Sequence, residues 1–436
     1  MNISHAPTAE PTRDTWRRRT ALWSGAVIVA LASIAFAKGG DFCQAAFSLL
    51  RAQSRYWPLL VTPLGFALLA WLTSGPLKAT RGSGIPQVIA AVTRADDDTL
   101  RRRLLALPVA VGKLALTLFA LLVGASVGRE GPSVHVGAGA MTWLAERFGF
   151  RDGRVIARFA LAGGAAGISA AFNTPLAGVM FAIEELAGAF EHRFSGTLLA
   201  AVMISGVVSL GLVGDYAYFG KHSTSLPLGS AWAAVIVTGI VGGLAGGLFS
   251  RTIIGVTGAL RKPFGRSHRG VPIAFAAVCG LTLAGLGLLS GDSIYGTGYE
   301  QARALIAGTS HTDIFFGPEK WLANAVSYIA GIPGGIFSPA LAVGAGLGAD
   351  IAPYLPHTDS TAVVLLGMSA YLTGVTQAPL TSVVISMELA DDHDFVLPIL
   401  ATCLIARTFS TLICKVPVYR AFADRLLRDY DAEHAR

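Results

Sequence analysis

The sequence predicts an all-α polytopic membrane protein built from two inverted-topology repeats of many tilted and broken helices. Three observations predict it: an apolar composition, a succession of apolar stretches of unequal length, and two motif sets that recur in the same order in the second half of the chain. Of 436 residues, 53% are hydrophobic and 14% are charged, with a mean hydropathy of +0.57. A soluble domain carries about 25% charge, so a water-soluble globule is excluded. Crossings of ~20 residues leave room for roughly ten or more spans. The 51 glycines exceed the ~7% of ordinary proteins and point to close helix packing and interrupted helices.

The first 19 residues are polar and end in Arg17, Arg18 and Arg19, and an apolar stretch follows from Ala21 to Ala37. This has the outline of a secretory signal with Ala35-Phe36-Ala37 as a cleavage site. The stretch exceeds a usual signal core, so it is read as the first membrane helix, with residues 1–20 as a cytoplasmic segment fixed by the basic flank. Further apolar stretches run over 57–73, 104–126, 131–145, 155–171, 175–190, 197–214, 231–250, 272–290, 337–352, 361–375, 379–390 and 395–414. Several are too short to cross, and half-helices are expected there. Basic clusters sit at Lys78 to Arg81, Arg101 to Arg103, Arg147 to Arg158, Arg251 to Arg269 and after Arg420. The net charge of +7 is therefore a topological signal, and nucleic acid is not implied.

Gly128-Arg129-Glu130-Gly131-Pro132, followed by Val136-Gly137-Ala138-Gly139, superposes at an offset of 207 on Gly335-Ile336-Phe337-Ser338-Pro339, followed by Val343-Gly344-Ala345-Gly346. Pro175-Leu176 and Glu184 match Pro379-Leu380 and Glu388 at an offset of 204. Two matches in one order indicate a duplicated half. The halves are placed at 21–225 and 226–420, with 421–436 as a cytoplasmic tail. Duplicated halves usually meet at a midplane site made from helix ends. The sequence leaves parallel and inverted arrangements open, and inverted is favoured.

Three Gly and Pro-rich segments interrupt the apolar background: Gly82-Ser83-Gly84-Ile85-Pro86, Gly128 to Pro132, and Gly331 to Pro339. Each places glycines before a Pro near the start of an apolar run, the pattern of a helix start that a ligand can approach closely. The first amides of a helix are unpaired donors carrying about half a positive charge, so converging N-termini attract an anion and hold it loosely enough for release. Cys43, Cys279, Cys403 and Cys414 are widely spaced and favour neither a disulfide framework nor a zinc site. No cofactor or metal is expected.

These segments resemble the CLC family of chloride channels and chloride/proton exchangers, whose signatures read Gly-Ser-Gly-Ile-Pro, Gly-Arg-Glu-Gly-Pro and Gly-x-Phe-x-Pro. All three stand here in family order, and the resemblance covers roughly 20 to 425. It implies about eighteen helices and a homodimer with one pathway per subunit. It further implies that Ser83 and Tyr419 donate hydroxyls to a central dehydrated chloride, with the amides of Ile336, Phe337 and Gly131 completing the anion path. Neutral donors hold a small anion without burying a fixed charge.

Glu130, at a helix N-terminus suited to anions, can take a chloride position itself and leave it when protonated. One side chain thereby binds the site and a proton in exclusive turns. By the resemblance, Glu185 passes cytoplasmic protons toward Glu130, and family channels generally carry an uncharged residue there. Coupled exchange follows, with a passive chloride channel as the rival. Glu184 and Glu388 are expected to pair with basic loop residues instead. Lys113 and Arg129 are read as electrostatic contributors, Lys113 raising the potential along the anion path without touching the ion. Plant relatives that prefer nitrate carry proline at the position of Ser83, so chloride is favoured here. The paired nucleotide-binding modules of eukaryotic relatives have no room after Tyr419, which suggests a bacterial inner-membrane protein without nucleotide regulation; a transporter and not an enzyme is expected. Gly124-Ala125-Ser126-Val127-Gly128 fits a hydrolase elbow, but that motif needs a preceding strand. The spacings at Gly242, Gly243, Gly246 and Gly247 report helix packing.

Overall fold

The computed structural model describes residues 13–187, 196–214, 219–220, 226, 232–260, 270–309, 315–355, 358–390 and 395–435. The first half comprises α1 (Arg13–Gln53), α2 (Pro58–Ser74), α3 (Ile85–Thr93), α4 (Asp98–Leu105), α5 (Leu107–Leu122), α6 (Glu130–Arg147), α7 (Gly153–Phe172), α8 (Pro175–Phe181) and α9 (Gly196–Val213). The second comprises α10 (Ala233–Ala259), α11 (Gly270–Leu289), α12 (Tyr299–Ile306), α13 (Phe316–Ile329), α14 (Phe337–Ile351), α15 (Ser360–Thr376), α16 (Pro379–Ala390), α17 (Val396–Ile413) and α18 (Val418–His434). Among the described residues, seven helices are long and apolar enough to cross a membrane. The short α8 is a half-helix within the apolar stretch 175–190, while α3 and α12, equally short, fall where the sequence shows no apolar stretch.

The duplication reaches down to the helix ends. Asp152 caps α7 by accepting from the Arg154 amide at 2.8 Å, and Asp359, 207 residues on, caps α15 by accepting from the Thr361 amide at 3.0 Å. Asn173 and Gln377 close the same two helices in the left-handed region, at φ 58° and 61°. Packing repeats as well: α6 lies on α7 as α14 lies on α15. A Cβ on Gly137 would run into the Gly163 carbonyl and one on Gly344 into the Gly367 carbonyl, so these helix pairs approach at backbone distance. Gly242 and Gly246 press α10 against Ala370 and Gly374 of α15 in the same way.

The structure extends the sequence reading at three places. The first helix runs from Arg13 to Gln53, far beyond the apolar stretch from Ala21 to Ala37, and continues through Gly39 and Gly40. Helix α13 falls in a region with no apolar stretch in the sequence, since Glu319, Lys320 and Asn324 lower its hydropathy, yet Lys320 and Asn324 are fully buried. The tail beyond Tyr419 continues as α18, which packs against α3. Arg94 clamps it by bidentate contacts to Asp431 at 2.5 and 2.6 Å. The end of the apolar stretch 175–190 and the boundary between the halves at 225 lie outside the described residues.

Candidate anion pathway

The three Gly and Pro-rich segments meet inside the protein. Gly128 and Gly335 exchange backbone hydrogen bonds, each amide donating to the other's carbonyl at 2.7 Å, in a local antiparallel bridge. The Gly334 amide donates to the Gly82 carbonyl at 3.3 Å. Gly131 is wedged between the other two loops: a Cβ there would lie 3.0 Å from Ser83 Cβ and 3.4 Å from Gly335 Cα. The N-termini of α3, α6 and α14 therefore converge, and Gly84 reaches the first of them with φ 104°, a conformation that suits glycine. Reciprocal pairing of duplicated segments is a local two-fold relation between the halves.

Around this convergence stand the predicted donors. Tyr419 Oη is buried with no hydrogen-bond partner in the protein, and Ser83 Oγ is buried beside the Tyr328 hydroxyl without a well-formed bond; buried hydroxyls in that state call for a ligand. The Tyr419 ring stacks on Phe337 with centroids 6.1 Å apart and planes 7° from parallel. Phe181 meets the Phe337 ring edge-on at 5.7 Å. Ile336 is the N-cap of α14 and Phe337 its first residue, so their amides belong to the unpaired first turn. The site is lined by neutral donors and aromatic rings.

Glu130 begins α6 and is completely buried. Its carboxylate reaches across to α14, accepting from the Ser338 hydroxyl and from the Ser338 amide at 3.3 Å. Gly128 makes room for it, since a Cβ there would sit 2.5 Å from Glu130 Oε2 and 3.0 Å from Pro339 Cδ. Glu185 lies in a single π-helical turn, Ala182–Leu186, that interrupts the chain after α8, and is buried. Tyr419 is close enough to both Glu130 and Glu185 to feel their charge.

Lys113 is fully buried and does not snorkel; its ammonium donates to the carbonyls of Gly82 at 2.7 Å and Arg81 at 3.3 Å. It therefore braces the Ser83 loop from behind. Arg129 turns away toward α1, donating to the Ala37 carbonyl and to Asp41, both at 2.7 Å.

Glu184 corrects the expectation of a pairing with a basic loop residue. Its carboxylate accepts from the Thr381 amide at 2.7 Å, the Thr381 hydroxyl at 2.8 Å and the Leu380 amide at 3.3 Å. Glu388 reciprocates on the Leu176 and Ala177 amides at 3.0 and 2.7 Å. Unpaired first-turn amides with a positive dipole end are better partners for a half-buried carboxylate than a solvated loop cation. Ser126 follows α5 with no strand before it, and its amide donates to Ser327 Oγ at 3.1 Å, so the hydrolase elbow is absent. Sequence reasoning missed Ser338 and Lys320. For Lys320 the signal was available, because it stands 207 residues after Lys113.

Comparison with known proteins places these features. A family model described as voltage gated chloride channel matches residues 65–411. The H(+)/Cl(-) exchange transporter ClcA of Yersinia pestis bv. Antiqua (strain Angola) is 31% identical, covering 94% of this chain and 87% of its own. The same-named transporter of Citrobacter koseri is 29% identical, covering 94% and 88%. The crystal structure of a slow cyanobacterial Cl-/H+ antiporter superposes with a TM-score of 0.82 at 22% identity, covering 94% of this chain and 98% of that one. That of a CLC-type fluoride/proton antiporter superposes with a TM-score of 0.77 at 21% identity, covering 94% and 99%. At these identities the two structures speak for the fold.

Proposed function

This chain belongs to the voltage-gated chloride channel family, and from that premise we propose that it is a chloride/proton antiporter, exchanging chloride for protons across the membrane. The observation that carries the proposal is the buried Glu130 carboxylate lying across the tips of α6 and α14, with a second buried carboxylate, Glu185, in the turn after α8. Converging helix ends favour any anion, and a carboxylate fixed beside them is a tethered competitor for the same donors. Chloride and the Glu130 carboxylate exclude one another there. When Glu130 takes a proton it no longer competes and the anion passes. When it releases the proton it returns.

In this reading Ser83, Tyr419 and the amides of Gly131, Ile336 and Phe337 hold the dehydrated chloride, and Lys113 keeps the Ser83 loop in place. Glu185 relays protons to Glu130. The similarity to proteins named H(+)/Cl(-) exchange transporters and the carboxylate at 185 both favour exchange over passive conduction. We place the protein in a bacterial inner membrane as a homodimer with one pathway per subunit, its halves spanning about 21–225 and 226–420.

Purified protein in liposomes, given a chloride gradient and no pH gradient, is expected to move protons uphill. Robust chloride flux with no proton movement would make it a channel.

A further inference from the structure

We propose that the Ser338 hydroxyl is a latch on the Glu130 side chain, a positioning device that sets how strongly the carboxylate competes with chloride. This rests on the reading of Glu130 as the gate. Ser338 occupies the second variable position of the Gly-x-Phe-x-Pro segment. Its side chain is buried, at 4% exposure, and its hydroxyl and amide serve different oxygens of the same carboxylate. Any residue but proline at 338 supplies the amide. Only a hydroxyl-bearing one supplies the second donor, so this choice of residue adds a charge-assisted hydrogen bond to the closed position of the gate. The bond is made while Glu130 lies in the pathway and is given up when it leaves. Gly128, without a Cβ beside Glu130 Oε2, leaves the carboxylate space to make it.

Chloride binding to the purified full chain, followed by calorimetry at neutral pH, tests the latch. Losing one hydrogen bond to a charged group weakens the carboxylate's hold, so Ser338→Ala is expected to bind chloride about tenfold more tightly. Ser338→Thr, which restores the hydroxyl, returns the native affinity. Introduced into Glu130→Ala, the Ser338→Ala change leaves chloride affinity where Glu130→Ala alone puts it. The same shift in both backgrounds, weaker binding in the Glu130→Ala background, or no shift in Ser338→Ala overturns the latch. If Ser338→Ala does not fold, Ser338→Cys, whose thiol is a weak donor, carries the same expectation. Glu130→Ala with native affinity and intact proton coupling would sink the gate reading itself, a result read independently of residue 338.

Discussion

Lys113 and Lys320 hold equivalent places in the two halves: each is fully buried, and each donates to the carbonyl of a left-handed glycine, Gly82 at 2.7 Å and Gly296 at 2.8 Å. Lys320 adds the Ile294 carbonyl at 2.7 Å. The braced loops are themselves alike, Gly82-Ser83-Gly84 against Gly296-Thr297-Gly298. They differ in what fills them. Ser83 Oγ makes no well-formed hydrogen bond, whereas the Thr297 hydroxyl donates to Gln44 Oε1 at 3.3 Å.

Lys113→Met and Lys320→Met should therefore separate. Each leaves buried carbonyls unsatisfied and costs about 1–3 kcal/mol per lost partner, so both lower the thermal midpoint in detergent. Lys113→Met also frees the Ser83 loop and is expected to weaken chloride binding by about tenfold, while Lys320→Met leaves it unchanged. Equal chloride affinities in the two variants would count against the bracing role.

Glu130→Ala should keep chloride flux and abolish proton coupling, since the competitor and the proton carrier leave together. Simultaneous chloride and pH recordings on one liposome preparation decide the matter.

Glu185→Gln should slow proton movement with a smaller effect on chloride, because the amide keeps the shape and cannot carry the charge. Proton flux at the native level in that variant would remove Glu185 from the path.

Glu184→Ala removes the acceptor for the first amides of α16 and, like the loss of a helix cap, should cost about 1 kcal/mol. Glu388→Ala should cost a similar amount at α8. Chemical denaturation of each variant gives the measurement.

Docking of α18 should loosen in acid. The Arg103 guanidinium, at 2.6 Å, with help from Lys78, holds the Glu433 carboxyl down at about 2 from its usual 4.5, and Arg94 lowers Asp431 in the same sense. A carboxylate held below its unfolded value stabilises the docked state at pH above that value, and the contribution fades as pH falls toward the folded one. The loss should therefore fall between about 4.5 and about 2. Protease sensitivity of α18 across that window checks it, and Glu433→Gln should blunt the change.

The loops that build the pathway were legible because each carries several constrained residues together: glycines that permit close approach and a Pro that starts a helix. The duplication was legible because Gly137 and Gly344, in the matched segments, must stay small where they meet the backbones of Gly163 and Gly367. Helix α13 was not, since hydropathy counts Lys320 and Asn324 as water-seeking when the fold buries them both. Nor was Ser338, because a hydroxyl in an apolar stretch does not announce which carboxylate it will meet. Glu184 was misread for a related reason: its partners are backbone amides, which every sequence contains and none singles out.

The paired hydrogen bonds between Gly128 and Gly335 stitch the two halves together beside the pathway, and Glu184 and Glu388 add crossed stitches farther along. Tilting one half against the other would have to tear these seams one after another. Rotating a single acidic arm undoes only its contacts to Ser338. In the proposed exchange cycle, such a seam would leave the body of the protein a stationary frame and confine the working stroke to a few side-chain torsions.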